Sequence, residues 1–299
     1  MTFGKVRADA REYTIELANG LRMTFAPGPD TGQWVDELAR VMQLQPSRGL
    51  WTNKTVFVRT YSRCCFGLGS PGHEIGSDIQ TLPYVRVMAG SVRGETICEI
   101  GPPCDEATEY RRMQFALSPL FAAVHGQEGF VIHGALVARE GRGAIITAPC
   151  GTGKSTSCRR LPPDWEVLSD DSAIIVPVDG GFAAHPLPTW SDYILHRRRP
   201  TWCVEQHVPL SAIFFLQRSD TDGVEPIGAG PTALLLRRSV SYVCMADVPD
   251  GHGCARVERE LALFERSCVL ARRVPGFLLN ARLDGSFWEH LAKTIEGPT

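Results

Sequence analysis

The sequence has no excess of one charge: 31 lysines and arginines stand against 33 aspartates and glutamates, a net charge of −2 over 299 residues. So balanced a chain offers no footprint for nucleic acid or an anionic membrane surface, and neither partner is expected. Long apolar runs are lacking too, with none near the ~18 residues that cross a bilayer. The opening stretch MTFGKVRADAREYTIEL alternates charged and apolar residues and has no apolar core of an export signal, so a cytoplasmic location is expected. Ten cysteines are present, but no C-x-x-C pair is among them, and Cys64 and Cys65 are adjacent. That spacing gives no zinc site, and the cysteines read as reduced thiols. One local break in the charge balance is the run from His196 through Arg197 and Arg198 to Arg199, which reads as a solvated loop or, failing that, an anion site.

What is there is a soluble globular composition, 43% hydrophobic and 21% charged, long enough for one large domain or two ordinary ones. The first half, residues 1–125, reads as a β-rich α+β region. Two alternating runs, Tyr13 to Leu17 and Leu21 to Phe25, flank Asn19-Gly20, a hairpin signal because both turn positions favour positive φ. A helix is expected from Thr31 as N-cap, with Trp34, Leu38, Val41 and Met42 on one face. KTVFVRTYS and LPYVRVMAG read as strands, and the Gly- and Ser-rich span Cys64 to Ser77 as loop. Tyr110, Met113, Leu117 and Leu120 then share a helical face that Pro119 kinks or divides.

From Gly129 the texture changes. Short apolar runs (FVIHGALVA, GAIITA, SAIIVPV, SAIFFLQ) alternate with helical or loop stretches, as in the buried strands of an α/β sheet, so residues 126–299 are expected to form an α/β domain. Within it, GAIITAPCGTGKSTSCRRL places an apolar strand, a glycine turn and a helix start in that order. A helix N-terminus presents unpaired N–H groups and partial positive charge, which suits a phosphate. Gly151, Thr152 and Gly153 form the turn, Lys154 reaches the β- and γ-phosphates, and Ser155 and Thr156 open the helix, with the Ser155 hydroxyl on Mg²⁺. Ala148 stands where the G-x-x-x-x-G-K-[ST] pattern has its first glycine. Cys150 lies inside the loop, where a small residue fits and where oxidation would block a nucleotide. Pro162-Pro163 should end the helix after about two turns.

WEVLSDDSAIIVP follows. Adjacent Asp170 and Asp171 in a buried strand repel each other, a cost that a divalent cation or an activated hydroxyl offsets; a turn with two solvated aspartates is the plainer alternative. Upstream, FVIHG puts His133 at a strand end that leads by a hairpin, Arg139 to Gly143, straight to the glycine loop. A lone strand histidine is more often structural than catalytic.

His133-Gly134, the loop Gly151 to Ser155 and the Asp170-Asp171 pair together resemble the catalytic domain of the HPr kinase/phosphorylase family, a P-loop fold. The resemblance extends through HPLPTWSDYIL, VPLSAIFFLQRS and VPGFLLNARLDGSFWEHL, about the last 170 residues. The whole chain is most similar to the HPr kinase-related proteins of peptide natural-product cassettes, of the SynChlorMet type. The resemblance implies a kinase that moves the γ-phosphate of ATP, with Mg²⁺, to a serine or other hydroxyl of a peptide or small protein. It implies Asp170 as proton acceptor and Asp171 with Ser155 toward the metal, roles the two aspartates could exchange, and His133 as the group that orients or tunes the base. The family's later glycine-rich segment with its acidic metal ligand has no clear counterpart; Glu205 in TWCVEQHVPL is the candidate for it. The first half is assigned to substrate recognition or to packing against another subunit in a homo-oligomer. A nucleotide hydrolase, and a scaffold that holds nucleotide and presents a precursor peptide to partner enzymes of a cassette, are the alternatives.

Overall fold

The computed structural model describes residues 11–49, 53–61, 72–73, 79–82, 84–149, 151–243 and 253–296. The chain divides into two compact units: Met1–Ala123 with Pro188–Glu205 and Met245–Arg256, and Val124–Leu187 with Gln206–Cys244 and Val257–Thr299. Each is a mixed sheet with helices. No helix among the described residues is long and apolar enough to cross a membrane.

In the first unit, β1 (Tyr13–Glu16), β2 (Arg22–Pro27), α1 (Gly32–Met42), β3 (Gln45–Pro46), β4 (Lys54–Arg59), β5 (Gly72–His73), β6 (Ile79–Leu82), β7 (Val85–Ala89), β8 (Glu95–Ile100) and α2 (Glu106–Ala116) follow in order. The sheet runs β3-β1-β2-β4-β8-β7-β6-β5. The expected hairpin is β1–β2, paired Tyr13 with Phe25 through Glu16 with Arg22, and its Gly20 has φ 80°. The next pairing, β2 with β4, is parallel, so the chain must cross back, and α1 makes the crossing. Its apolar face buries Trp34, Val35, Leu38, Val41 and Met42 as the spacing required. Trp34 packs on Phe57 with ring centroids 5.1 Å apart. Thr31 precedes α1 but does not cap it with its side chain; the hydroxyl donates to the Phe57 carbonyl at 2.8 Å and ties the helix start to β4 instead. Of the expected loop from Cys64 to Ser77, Gly72 and His73 are strand residues instead, paired with Thr81 and Gln80; the remainder of that span lies outside the described residues.

The long helical stretch is divided, as Pro119 suggested. α2 stops at Ala116, and α3 (Ser118–Gly126) restarts with Pro119 in its first turn, where a missing N–H breaks no helical bond.

In the second unit, β9 (Phe130–His133), β10 (Ala135–Arg139), β11 (Arg142–Thr147), α4 (Lys154–Arg160), β12 (Glu166–Ser169), β13 (Ser172–Val178) and β14 (Gly181–Pro186) come first. After α5 (Trp190–Ile194), which belongs to the first unit, come β15 (Val208–Arg218), β16 (Gly223–Pro226), α6 (Ala229–Val243), α7 (Gly253–Arg273), β17 (Gly276–Ala281) and α8 (Phe287–Glu296). The main path of the sheet is β12-β10-β11-β15-β14-β13-β9, with β17 beside β15 and β16 beside β17. Only β11–β15 and β15–β17 are parallel among its pairings. Two of the antiparallel pairings are tight hairpins: β13 and β14 are separated by two residues, and β10 and β11 are joined by Glu140 and Gly141 alone, both at positive φ (51° and 75°), the two-residue turn that suits a twisted hairpin.

The apolar runs are buried on both sides. Ala135, Val137, Ala144, Ile146 and Phe214 enter one core with Phe287, Leu291 and Ile295 of α8. Leu136, Ala138, Ile145, Ile213 and Phe215 enter the other with residues of α6 and α7, such as Leu236 and Leu270. The alternation is the strand period of two read on both faces.

Candidate functional site

Two strand-to-strand corners meet in the second unit. The chain passes from β9 to β10 through Gly134 alone, and from β12 to β13 through Asp170 and Asp171. The Gly134 N–H donates to the Asp171 carbonyl at 3.0 Å, and His133 pairs in register with Ser172. Ser169 locks the second corner, its hydroxyl donating to the Ser172 carbonyl at 2.9 Å. Gly134 permits this crossing because a Cβ there would come within 2.9 Å of Ile145 Cγ2. Of the two readings of the aspartate pair, the buried strand is not met and the turn between strands is. The corner takes both residues out of the ladder, and the Asp171 side chain is 33% exposed.

The glycine loop leaves β11 at Thr147 and reaches α4 at Lys154. Gly151 (φ 78°) and Gly153 (φ 115°) take left-handed conformations that L side chains rarely adopt, so both glycines are needed for the path. Cys150 lies outside the described residues. α4 has seven residues and ends at Arg160, just ahead of the proline pair. Ser155 and Thr156 sit in its first turn, half-buried and exposed, while Lys154 is buried at 7%.

Lys154 connects the loop to both corners. Its Nζ lies 2.9 Å from His133 Nε2 and donates to the Asp171 carbonyl at 3.4 Å. Burial, and after it the Lys154 charge, push His133 down to about 4, against a smaller opposing hydrogen bond with the Asp171 main chain. The imidazole is therefore neutral at physiological pH. Accepting from Lys154 at Nε2, it carries its proton on Nδ1, which faces Asp171 Oδ1 at 3.5 Å. Burial raises Asp171 above the usual carboxylate range; Lys154 opposes this and Asp170 adds to it. Of the sequence-expected residues, His133, Lys154 and Asp171 are thus in mutual contact, with Asp170 next in the chain.

Arg218 was not signalled by any motif. It closes the apolar strand β15, and its guanidinium donates to the Gly151 carbonyl at 2.6 Å and the Thr152 carbonyl at 2.9 Å. In the sequence it lies in VPLSAIFFLQRS, a stretch to which the resemblance extends, as the basic residue that ends an apolar run. Cavities open on either side of this tethered loop. One, of about 630 Å³, is bordered by Gly153, Thr156, Arg160, Asp220 and Arg282. The other, of about 750 Å³, is bordered by His133, Pro149, Phe215, Leu235 and Arg238. Among the described residues no group of three His, Cys, Asp or Glu side chains is placed to hold a metal. Glu205 belongs to the first unit, where its carboxylate accepts from the Glu16 N–H at 2.9 Å. The basic run also belongs there: His196 to Arg199 are exposed, and Arg199 pairs with Glu106. The described cysteines Cys98, Cys104, Cys158, Cys203 and Cys268 are free thiols.

No protein of curated function matches the chain. Residues 96–296, well over half of it and including every residue of the site, match the family described as SynChlorMet cassette protein ScmC. The chain belongs to the ScmC family of SynChlorMet cassette proteins.

Proposed function

We propose that the second unit is a P-loop phosphotransferase of the HPr kinase type, which passes the γ-phosphate of ATP to a hydroxyl of a peptide or small protein of its cassette. The observation that carries the reading is the convergence of His133, Lys154 and Asp171, three residues from separate stretches of chain, at the end of a glycine loop. Lys154, a residue 7% exposed at the end of the glycine loop, brings a positive charge to the place where phosphates would lie. Gly151 to Thr156 would follow the phosphates with main-chain N–H groups, and Lys154 would turn from His133 to the β- and γ-phosphates.

In the transfer, the acceptor oxygen forms a bond to the γ-phosphorus as the bond to the β–γ bridging oxygen breaks and its electron pair leaves with ADP. The acceptor's proton goes to a carboxylate, Asp170 in this assignment, with Asp171 the alternative. Mg²⁺ keeps most of its ligands as water and phosphate oxygens, so the Ser155 hydroxyl and the Asp171 carboxylate are a sufficient protein contribution. Bound there, the ion would neutralise charge on the phosphates. His133 positions Asp171 through Nδ1 and releases Lys154 when nucleotide enters.

The test is incubation with Mg-ATP and the short peptides encoded beside the gene, read by intact mass, with Asp170→Asn as control. A phosphate adduct on one peptide, lost in the control while ATP affinity stays, is the expected result. ATP consumed with every peptide unmodified would identify a hydrolase. Binding without consumption would identify a scaffold.

A further inference from the structure

The two cavities beside the loop differ in charge. On the Thr156 side, Asp220 and Asp284 stand with Arg160, Arg218 and Arg282. On the His133 side, Arg218 and Arg238 stand over walls formed by Phe215, Leu235 and Leu278, and no carboxylate is among the described lining residues. Arg218 borders both cavities, and the hydrogen bonds of its guanidinium go to the loop carbonyls of Gly151 and Thr152. Arg238, on α6, is exposed and meets no carboxylate or other acceptor among the described residues. Its neighbour Ser239 is fixed, donating to the Leu235 carbonyl at 3.2 Å and accepting from Thr147 at 2.8 Å. α6 is thus anchored beside the cavity that Arg238 borders together with Phe215, Leu235 and Leu278.

An arginine fork matches a carboxylate, and the apolar walls match a hydrocarbon side chain next to it. We propose that the cavity on the His133 side receives the acceptor as a carboxylate joined to an apolar residue, either a peptide's free C-terminus or an aspartate or glutamate beside such a residue. Calling the occupant an acceptor rests on the phosphotransferase reading; the chemistry of the cavity does not.

Three fluorescein-labelled hexapeptides test it by anisotropy in low salt. One ends in leucine with a free carboxylate, one is the same peptide as its C-terminal amide, and one is that amide with aspartate before the leucine. At least one anionic peptide should bind ten-fold or more tightly than the plain amide, and which of the two does so identifies the source of the carboxylate. Arg238→Gln should reduce that peptide to the level of the amide, while the affinity for a fluorescent ATP analogue stays within two-fold. Equal binding of all three peptides, or of none, overturns the proposal. So does an Arg238→Gln protein that loses the ATP analogue and keeps the peptide, since the arginine would then serve the nucleotide. Peptide selectivity intact in a protein that binds no ATP analogue would support the cavity assignment and overturn the phosphotransferase reading.

Discussion

At the scale of single residues, the site trades stability for reactivity, and the two titrating groups do so in opposite directions. Asp171 holds its proton more tightly in the folded protein than in the unfolded chain. Its contribution to stability is thus complete below its unfolded value and is lost as pH rises through the folded one. Asp171→Asn removes that loss. In metal-free protein at pH 7 the variant should melt higher than the parent, although Mg-dependent nucleotide binding falls. Calorimetry in chelator should show the gap closing as pH is lowered toward 4; a variant that melts lower at pH 7 refutes the cost. His133 behaves in the other sense. Its folded value of about 4 lies below the ordinary 6.5, so the stability it contributes is full above 6.5 and declines as pH falls from 6.5 toward 4. His133→Gln should flatten the drop in melting temperature between pH 7 and pH 5. An unchanged slope would place the acid sensitivity elsewhere.

At the scale of elements, the corners matter more than the strands they join. A Cβ at Gly134 would press on Ile145 and approach the Ile146 carbonyl at 3.3 Å, so Gly134→Ala should cost about 1–3 kcal/mol by overpacking. Gly153 has open space around it but a φ of 115°, so Gly153→Ala acts through backbone strain of about 1–3 kcal/mol. Urea unfolding measures both losses. Nucleotide affinity separates them, since Gly153→Ala strains the loop itself, whereas Gly134→Ala shifts His133 and through it Lys154. The local elements were legible in the sequence: the Asn19-Gly20 hairpin, the α1 face through Trp34 and Leu38, the division at Pro119, and the strand, loop and short helix around Lys154. Each is set by neighbours in the chain. The corner at Asp170 and Asp171 was legible only as the plainer alternative of a turn, because whether a chain stays in one ladder or crosses between two depends on partner strands remote in sequence. The same holds for Arg218, whose partners are loop carbonyls rather than a motif. It holds again for Arg59, whose buried pairing with Glu109 joins β4 to α2 across fifty residues, whereas Arg112 meets Glu109 by the i,i+3 spacing of one helix.

At the scale of the whole molecule, the second unit contains an interruption that its own sheet does not need. β14 and β15 are antiparallel neighbours, with Ala183 opposite Pro209 and Ala184 opposite Val208. Beyond the last pair, the rings of His185 and His207 lie 5.1 Å apart, so the two strands are close enough at that end for a short turn to join them. Instead the chain leaves for residues 188–205, which belong to the first unit. There the Trp202 N–H donates to the Val41 carbonyl at 2.9 Å, and the Tyr193 ring lies 4.3 Å from that of Tyr110. Trp190, Tyr193 and Trp202 are 4%, 4% and 8% exposed in this setting. Residues 124–299 produced alone would bare all three aromatics, each able to bury about 150–250 Å². A patch that large on an isolated unit invites association. Replacing 188–205 by a short linker of glycine and asparagine should therefore give a soluble monomer by size-exclusion chromatography, whereas the fragment with its native segment should aggregate. The linked fragment should bind a fluorescent ATP analogue as the full chain does, because His133, Lys154, Asp171 and Arg218 all lie within the second unit. If both fragments are equally soluble, the aromatic segment does not depend on the first unit for its cover. If the linked fragment is soluble yet binds no nucleotide while the full chain does, the site draws on the first unit after all.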